Sequence, residues 1–283
     1  MSDGFRLGVF LTIVRPEEKW ILAAAEARGI PVTRFDDSEV TFGLDVPPDL
    51  PDVVLNRSVS HTRSIYATRC FARYGVPTVN RPDVVELAGD KVLSTLRLAE
   101  RGVPVPRTEI ALSPEAARRA LERIGYPAVL KPPVGSWGRL LAKVDSPEAA
   151  EQILEHKAAL PSPVHSVFYI QEFVPKPDRD LRVFVVGAHA VAAMYRHSTE
   201  WRTNAARGAS ASPAEITPEI EEIALRAAQA MGGGVLAVDL VESPDGLRVL
   251  EVNPTPEFKT LTAATGADVA GRIVEYCGEV ARE

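Results

Sequence analysis

Asp239, Glu251 and Asn253 are three oxygen-bearing side chains in one short stretch, Gly233 to Lys259, of a 283-residue chain. Two carboxylates and an amide oxygen are hard donors of the kind Mg²⁺ prefers, and that ion keeps waters or substrate phosphates in its remaining positions. Asp239 follows the apolar run Val235–Val238. Glu251 and Asn253 follow the run Leu247–Leu250, with the polar segment Glu242–Gly246 between the two runs. Two antiparallel strands joined by that turn would gather the three groups, because residues two apart on a strand share a face. The stretch reads either as a magnesium–phosphate site or as a solvated hairpin carrying ordinary surface acids.

Other segments carry chemistry of the same kind. A strand Ala128–Lys131 runs into Pro132-Pro133-Val134-Gly135-Ser136-Trp137-Gly138-Arg139. A glycine-containing loop with a lysine at its mouth can offer backbone N–H groups and positive charge to phosphates. It lacks the Gly-Lys-Ser/Thr helix opening of a P-loop, and the competing reading is a plain hairpin turn. Arg182 and Arg196 stand inside otherwise apolar strands, Leu181–Val186 and Ala190–Arg196. Buried charges are costly unless paired or turned to a polar cleft, so these two are either ligand-facing or an internal ion pair. Trp201 to Gly208, which includes Asn204 and Arg207, has weak strand or helix character and reads as a binding loop. The five histidines show no catalytic or metal-ligand spacing, and each reads as structural or solvated.

The elements that must position these groups follow from periodicity. A strand over Phe5–Ile13, a helix from Pro16 to Arg28, a strand from Pro31, a strand Asp52–Asn56, a helix Ser64–Tyr74 and a short strand Pro77–Asn80 alternate. Such alternation implies an α/β unit with a mainly parallel sheet, placed at residues 1–88. Beyond it come helices opening at Lys91 and Pro114, the strand to Lys131, a strand Val167–Val174, the two arginine-bearing strands, a helix Pro218–Met231, the hairpin, and a closing helix Val269–Arg282.

Composition bounds the class. Hydrophobic residues at 46% and charged residues at 25% are ordinary for a globular protein. There is no run long enough to span a membrane and no signal-peptide pattern, which points to the cytoplasm. Cys70 and Cys277 lack metal-ligand spacing and read as free thiols. A net charge of -6 argues against a general nucleic-acid binder. Yet between Asn56 and Pro82 the charged residues are Arg57, Arg63, Arg69, Arg73 and Arg81, without one acid. A basic segment in an acidic protein suits an acidic partner or substrate, or else simply solvates a helix face.

Taken in order, Lys91, Lys131 with Gly135–Gly138, Gln171-Glu172-Phe173-Val174, Asp180-Leu181-Arg182, Asn204 to Arg207, Asp239 and Glu251-Val252-Asn253 resemble the ATP-grasp ligases. Lys131 to Lys143 and Asn253 to Lys259 look most like the lysine-biosynthesis ligases that act on an amino-group carrier protein, and the related ribosomal-protein glutamylating ligases. The resemblance implies an ATP-grasp fold: the N-terminal parallel α/β pre-ATP-grasp domain, a small central lid domain at residues 89–168, and a C-terminal domain with a mainly antiparallel sheet at 169–283. ATP and Mg²⁺ are the implied cofactors. Lys91 and Lys131 would contact phosphates, with Gly135, Ser136, Trp137 and Gly138 closing over them. Gln171, Glu172, Phe173 and Val174 would hold adenine, and Asp180 belongs to the same nucleotide set. Asp239, Glu251 and Asn253 would bind metal. Arg182, Arg196, Asn204 and Arg207 would neutralise the transferring phosphoryl group and the carboxylate.

The implied reaction joins a carboxylate to an amine through an acylphosphate, with no protein nucleophile. The implied partners are a small acidic carrier protein ending in glutamate and an amino acid, α-aminoadipate or glutamate. The resemblance also implies a dimer or tetramer. Arg57, Ser58 and Arg63 would serve the substrate together with Asn253, Thr255, Glu257, Phe258 and Lys259. One departure stands out: where the lysine-pathway enzymes read Asn-x-Thr-x-Glu-Phe-Lys-Asn, this chain has Thr260 at the last place and prolines at 254 and 256. The amine, and whether it serves lysine, arginine or secondary-metabolite synthesis, stays open on that ground. A ligase for free small molecules, like glutathione synthetase or D-alanine ligase, is the alternative.

Overall fold

A computed structural model of the chain describes residues 4–135, 139–160, 163–201 and 210–283. Strand β1 (Leu7–Leu11) is buried at all its positions. Its loose alternation therefore marks no exposed face, because a parallel sheet is covered on both sides. Then come α1 (Pro16–Ala27), β2 (Val32–Asp36), β3 (Val53–Arg57), α2 (His61–Arg73) and β4 (Thr78–Val79). The four strands pair in parallel in the order β2-β1-β3-β4, the sheet that the alternation implies. Pro16 opens α1, where its missing N–H goes unused. Ser60 caps α2 by accepting from Arg63 N, which starts that helix three residues earlier than periodicity suggests.

The middle of the chain supplies α3 (Pro82–Gly89), α4 (Lys91–Glu100), β5 (Thr108–Ala111), α5 (Pro114–Ile124), β6 (Ala128–Lys131), β7 (Ala142–Val144), α6 (Pro147–Ala158) and β8 (Phe168–Glu172). Its sheet is antiparallel, ordered β5-β8-β6-β7. Ala128, Leu130, Phe168 and Ile170 pack with α5 and α6. Strand alternation then leaves Lys131, Tyr169 and Gln171 on the other face. The glycine-containing segment connects the paired strands β6 and β7, so it is the connection of a hairpin.

The last part holds β9 (Arg179–Val186), β10 (His189–His197), β11 (Ser210–Pro213), α7 (Pro218–Met231), β12 (Val235–Ser243), β13 (Gly246–Asn253), α8 (Lys259–Thr265) and α9 (Val269–Val280). The sheet is antiparallel, ordered β11-β10-β9-β12-β13. The hairpin is longer than its apolar runs suggest. Glu242 pairs with Leu247 and Ser243 with Gly246, so the turn contracts to Pro244 and Asp245. Helices α3, α6 and α8 and strands β5, β7 and β11 carry too little apolar pattern to stand out. In α6, for instance, only Ala150 and Leu154 are buried.

One core joins the two ends of the chain. Leu7, Val9 and Leu11 of β1 and Val53 and Leu55 of β3 pack with Phe184, Val186, Met194 and Val235 and with Ile273 and Val274 of α9. The unit expected at residues 1–88 thus shares the core on one face of its sheet with the C-terminal sheet and α9. The opposite face of the parallel sheet is smaller, built from Phe10, Val54, Ala67, Phe71 and Val76.

Asn80 ties the same seam by hydrogen bonds. Its Nδ2 donates to Val235 O at 2.8 Å and Pro254 O at 2.7 Å, and its Oδ1 accepts from Val235 N at 2.6 Å. Gly234 makes room for it, since a Cβ there would stand 2.0 Å from Asn80 Oδ1. Asn80→Ala leaves the buried Val235 N–H without a partner, and urea unfolding should show a loss of about 2–4 kcal/mol. A loss within experimental error would mean that the seam does not depend on this side chain.

Candidate active site

Strand register assembles a ladder of charges. Across β12 and β13, Asp239 pairs with Glu251 and Ala237 with Asn253; across β12 and β9, Asp239 pairs with Arg182; across β10 and β9, Arg196 pairs with Asp180. Arg182 donates Nε and Nη2 to the two oxygens of Asp239 at 2.7 and 2.8 Å. Arg196 does the same to Asp180 at 2.6 and 2.9 Å, and its Nη2 also lies 3.2 Å from Asp239 Oδ2. Asp180, Arg196 and Asp239 are all buried. Burial alone would push the Asp239 carboxyl up, but the charges and hydrogen bonds of Arg182 and Arg196 overcome this and hold it down to about 2. The same pairs outweigh burial at Arg196 and raise its guanidinium.

The two lysines sit nearby on other elements. Asp90 caps α4 by accepting from Val92 N and Leu93 N, which fixes Lys91 as its first residue. Lys91 Nζ donates to Gly135 O at 2.8 Å and lies 3.5 Å from Glu251 Oε1. Lys131, at the end of β6, donates to Gln171 Oε1 at 2.7 Å. Burial lowers Lys131 to about 8, with Lys91 acting the same way and Glu251 and Asp239 opposing.

The nucleotide-binding assignments divide. The Gln171 side chain is spent inside the β5-β8-β6-β7 sheet on Lys131, Thr108 Oγ1 and Tyr169 Oη. Glu172 accepts from Arg107 N at 2.7 Å and from Arg248 Nη1 at 2.6 Å, and it lines a separate cavity of about 670 Å³ beside α4 and β5. The Phe173 ring lies under Lys143 Nζ at 4.8 Å and 6.4 Å from the Trp201 ring. Val174 follows in the connection to β9. Asp180 has both oxygens on Arg196, so its reach to a ligand runs through that guanidinium. Ser136, Trp137, Gly138, Asn204 and Arg207 lie outside the described residues.

A cavity of about 350 Å³ gathers the rest. It is lined by Lys91, Gly135, Arg182, Arg196, Asp239, Glu251 and Asn253, and also by Ser58, Thr255 and Glu257. Lys131 does not line it. Arg63 is half-exposed and pairs with Asp37 at 2.6 Å, and Ser58 donates to the same carboxylate at 2.6 Å. Lys259 opens α8, its N–H on Glu17 Oε1 at 2.9 Å.

Two substrate assignments need correction. Arg57 is 1% exposed. It closes a strand buried on both faces, donates Nε to Glu18 at 2.9 Å and Nη1 to Pro256 O at 3.0 Å, and so belongs to the interior and not to a basic surface. Phe258 is equally buried, packed edge-on against Phe184, and holds the segment in place without lining the cavity. The basic segment is also largely compensated from outside itself: Arg63 by Asp37, Arg69 by Glu86 and Arg81 by Asp83. Arg15 and His61 line the cavity as well, although periodicity marked Arg15 only as preceding a helix and spacing set His61 aside. Glu18, the buried partner of both Arg15 and Arg57, was the available signal, as a charge on the inner face of α1.

Asn253 tests the metal set. Its Nδ2 is buried and has no hydrogen-bond partner among the described residues. Turning that amide exchanges the idle nitrogen for an oxygen beside two carboxylates. The donor set is then all oxygen and fits Mg²⁺. Among the described residues Asp239 Oδ1 has a single partner, Arg182, which leaves a lone pair for an ion.

Residues 88–277 match the RimK-like ATP-grasp domain and residues 7–87 the LysX preATP-grasp domain. The chain is 33% identical over 277 residues to a glutamate–LysW ligase, ArgX, of Sulfurisphaera tokodaii, covering 97% of this chain and 98% of that one. It is 35% identical over 269 residues to an α-aminoadipate–LysW ligase, LysX, of Saccharolobus solfataricus, covering 94% and 98%. Among solved structures it is similar to a RimK domain ATP-grasp protein of Sphaerobacter thermophilus, with a TM-score of 0.79 at 26% identity over 96% of this chain and 99% of that one.

Arg196→Met leaves Asp180 and Asp239 buried with one cation fewer and should cost about 3–5 kcal/mol in denaturant unfolding at neutral pH. In the wild type, Asp239 is held low, so its contribution is complete above the ordinary carboxylate range and fades only as pH falls toward 2. In the variant the carboxyl titrates higher than this, so the deficit should shrink as pH falls from the ordinary carboxylate range, about 4, toward 2. A deficit that is constant over that window would contradict the pairing.

Proposed function

Because the chain belongs to the RimK-like ATP-grasp family, whose fold is that of carboxylate–amine ligases, we propose that it is an ADP-forming ligase that joins an amino acid to a carrier protein. The acceptor carboxylate is the side chain of a C-terminal glutamate on a small acidic carrier, and the amine is that of glutamate, α-aminoadipate or a related amino acid. The observation that carries this reading is the single cavity in which Lys91, Arg182, Arg196, Asp239, Glu251 and Asn253 meet Ser58, Thr255 and Glu257. One set of groups suits phosphates and the other an organic substrate. Identity alone does not choose the amine, since relatives named for glutamate and for α-aminoadipate match about equally.

In the reaction, a carboxylate oxygen of the carrier attacks the γ-phosphorus of ATP and ADP leaves with the electron pair of the broken P–O bond. The amine nitrogen, once its ammonium has given a proton to solvent, attacks the acylphosphate carbon; the C–O bond breaks, phosphate departs with its electron pair, and the nitrogen gives up a second proton to leave the amide. Arg182 and Arg196, held by buried carboxylates, offer fixed positive charge to the phosphoryl group, and Lys91 orients the phosphates. Asp239, Glu251 and Asn253 would hold Mg²⁺, which when bound neutralises charge on the β- and γ-phosphates. Alignment and charge do the work, so no nucleophilic side chain is needed.

Intact-mass analysis of the cognate carrier after incubation with ATP, Mg²⁺ and a panel of amino acids tests the reading. The expected product is heavier by one amino acid minus water. A carrier that stays unmodified while free small acids consume ATP would point to a ligase for free substrates instead.

Lys131 gives a second test. Its ammonium is destabilised by burial, and the negative phosphates of ATP would raise it again. Binding therefore takes up a proton above about pH 8, and ATP affinity should fall as pH rises through that value, on the order of tenfold per unit at the limit. Calorimetry in buffers of different ionisation enthalpy reads this uptake. Lys131→Met should flatten the profile, and an unchanged profile in that variant would assign the titration elsewhere.

A further inference from the structure

Arg15 and Glu257 line the cavity but take no part in the phosphate chemistry. Arg15 donates Nε at 3.0 Å and Nη2 at 2.8 Å to the carboxylate of Glu18, which is 0% exposed and also holds Arg57. That bidentate grip fixes the guanidinium plane. Among the described residues its remaining arm, Nη1, makes one 3.2 Å contact, with Glu257 Oε1 on a side chain 45% exposed. The two halves of this arrangement differ in strength. A buried fork holds, whereas a single contact to an exposed carboxylate is weak and exchanges readily. Arg182 and Arg196, by contrast, spend both arms on buried carboxylates.

The backbone around Glu257 is pinned on both sides. Arg57 Nη1 donates to Pro256 O at 3.0 Å, and Glu17 Oε1 accepts from Phe258 N at 3.2 Å and from Lys259 N at 2.9 Å. The Glu257 side chain, 45% exposed, is held among the described residues by the single Arg15 contact. The wall thus presents one fixed cationic arm and one exposed carboxylate within hydrogen-bonding reach of each other. An α-amino acid carries the opposite charges at similar separation.

We propose that Arg15 and Glu257 form a clamp for the zwitterion of the incoming α-amino acid, Arg15 Nη1 taking its α-carboxylate and Glu257 its ammonium. This rests on the reading of the cavity as that of an amino-acid ligase and names how that substrate is recognised. The exchange replaces one Arg–Glu contact with two contacts of opposite charge and adds no net charge to the wall. Selectivity follows from what is left unpaired: an amine without a carboxylate strands Arg15 Nη1, and an acid without an amine meets Glu257 as a like charge.

The test is calorimetric titration of glutamate, α-aminoadipate and their decarboxylated amines into the protein saturated with Mg²⁺ and a non-hydrolysable ATP analogue. The wild type should bind an amino acid more tightly than its decarboxylated counterpart by on the order of 10- to 100-fold. Arg15→Met should bring that preference close to unity. Glu257→Gln should weaken amino acid and amine alike, by on the order of tenfold, because both need the ammonium contact. Retention of the wild-type preference in Arg15→Met overturns the clamp. If that variant does not fold, Glu257→Gln decides, and unchanged affinities there overturn the proposal equally. Failure of the wild type to bind any amino acid also overturns it. The ligase reading is judged apart, by whether hydroxylamine traps an acylphosphate on the carrier in the presence of ATP.

Discussion

A carboxylate buried as deeply as Asp239 would cost several kcal/mol if left alone, and the site depends on how that cost is offset. Two guanidiniums do it, and they arrive from β9 and β10 by strand register. Because side chains alternate between faces, a slip of β12 by one residue would turn Asp239 into the core beneath α7 and away from both arginines. The sheet is thus held in one register by charge as well as by apolar packing. A bulge opposite Asp239 and Leu240 completes the arrangement. Val249 and Val252, three apart, both enter one core, which strict alternation forbids, and the irregularity between them lets Glu251 and Asn253 join the cavity.

Before any ligand arrives, the cavity neutralises itself. Lys91 lies near Glu251, Arg182 grips Asp239 and Arg196 grips Asp180. Each cation is therefore already oriented and partly stripped of water when phosphates compete for it. Such preorganisation is how fixed charges act strongly without rearranging at the moment of reaction. It also resolves the choice that the embedded arginines posed in the sequence. They form an internal ion pair and they face the cavity, because the partner of each is itself a cavity wall or stands behind one.

Local patterning carried the alternating elements, the parallel sheet, the hairpin and the gathering of Asp239, Glu251 and Asn253 on one cavity, since each rests on residues close in sequence. Four missed features rest on partners far apart in the chain. Arg57 looked like part of a basic surface because its counter-charge, Glu18, is 39 residues away on another element. The acids that compensate Arg63 and Arg69, Asp37 and Glu86, lie outside the arginine-rich window. Phe258 sits in a polar motif yet serves the core that joins the two ends of the chain. Arg15 announces itself only through the buried Glu18 and the distant Glu257. Apolar periodicity says which face is inside, but not which charges are taken inside with it.

The seam at Asn80 has a consequence for how such enzymes can be assembled from parts. The side chain of Asn80 bonds the backbone at Val235 and Pro254, and Gly234 leaves the space it occupies. An exchange of modules between relatives, with a junction near the end of α3, would separate Asn80 from Gly234 and the β1 face from α9. A chimera inherits a fit only if both parents keep the same amide and the same gap. The natural unit of recombination in this chain is therefore the insert between them, the β5-β8-β6-β7 sheet and its helices, and not the N-terminal sheet.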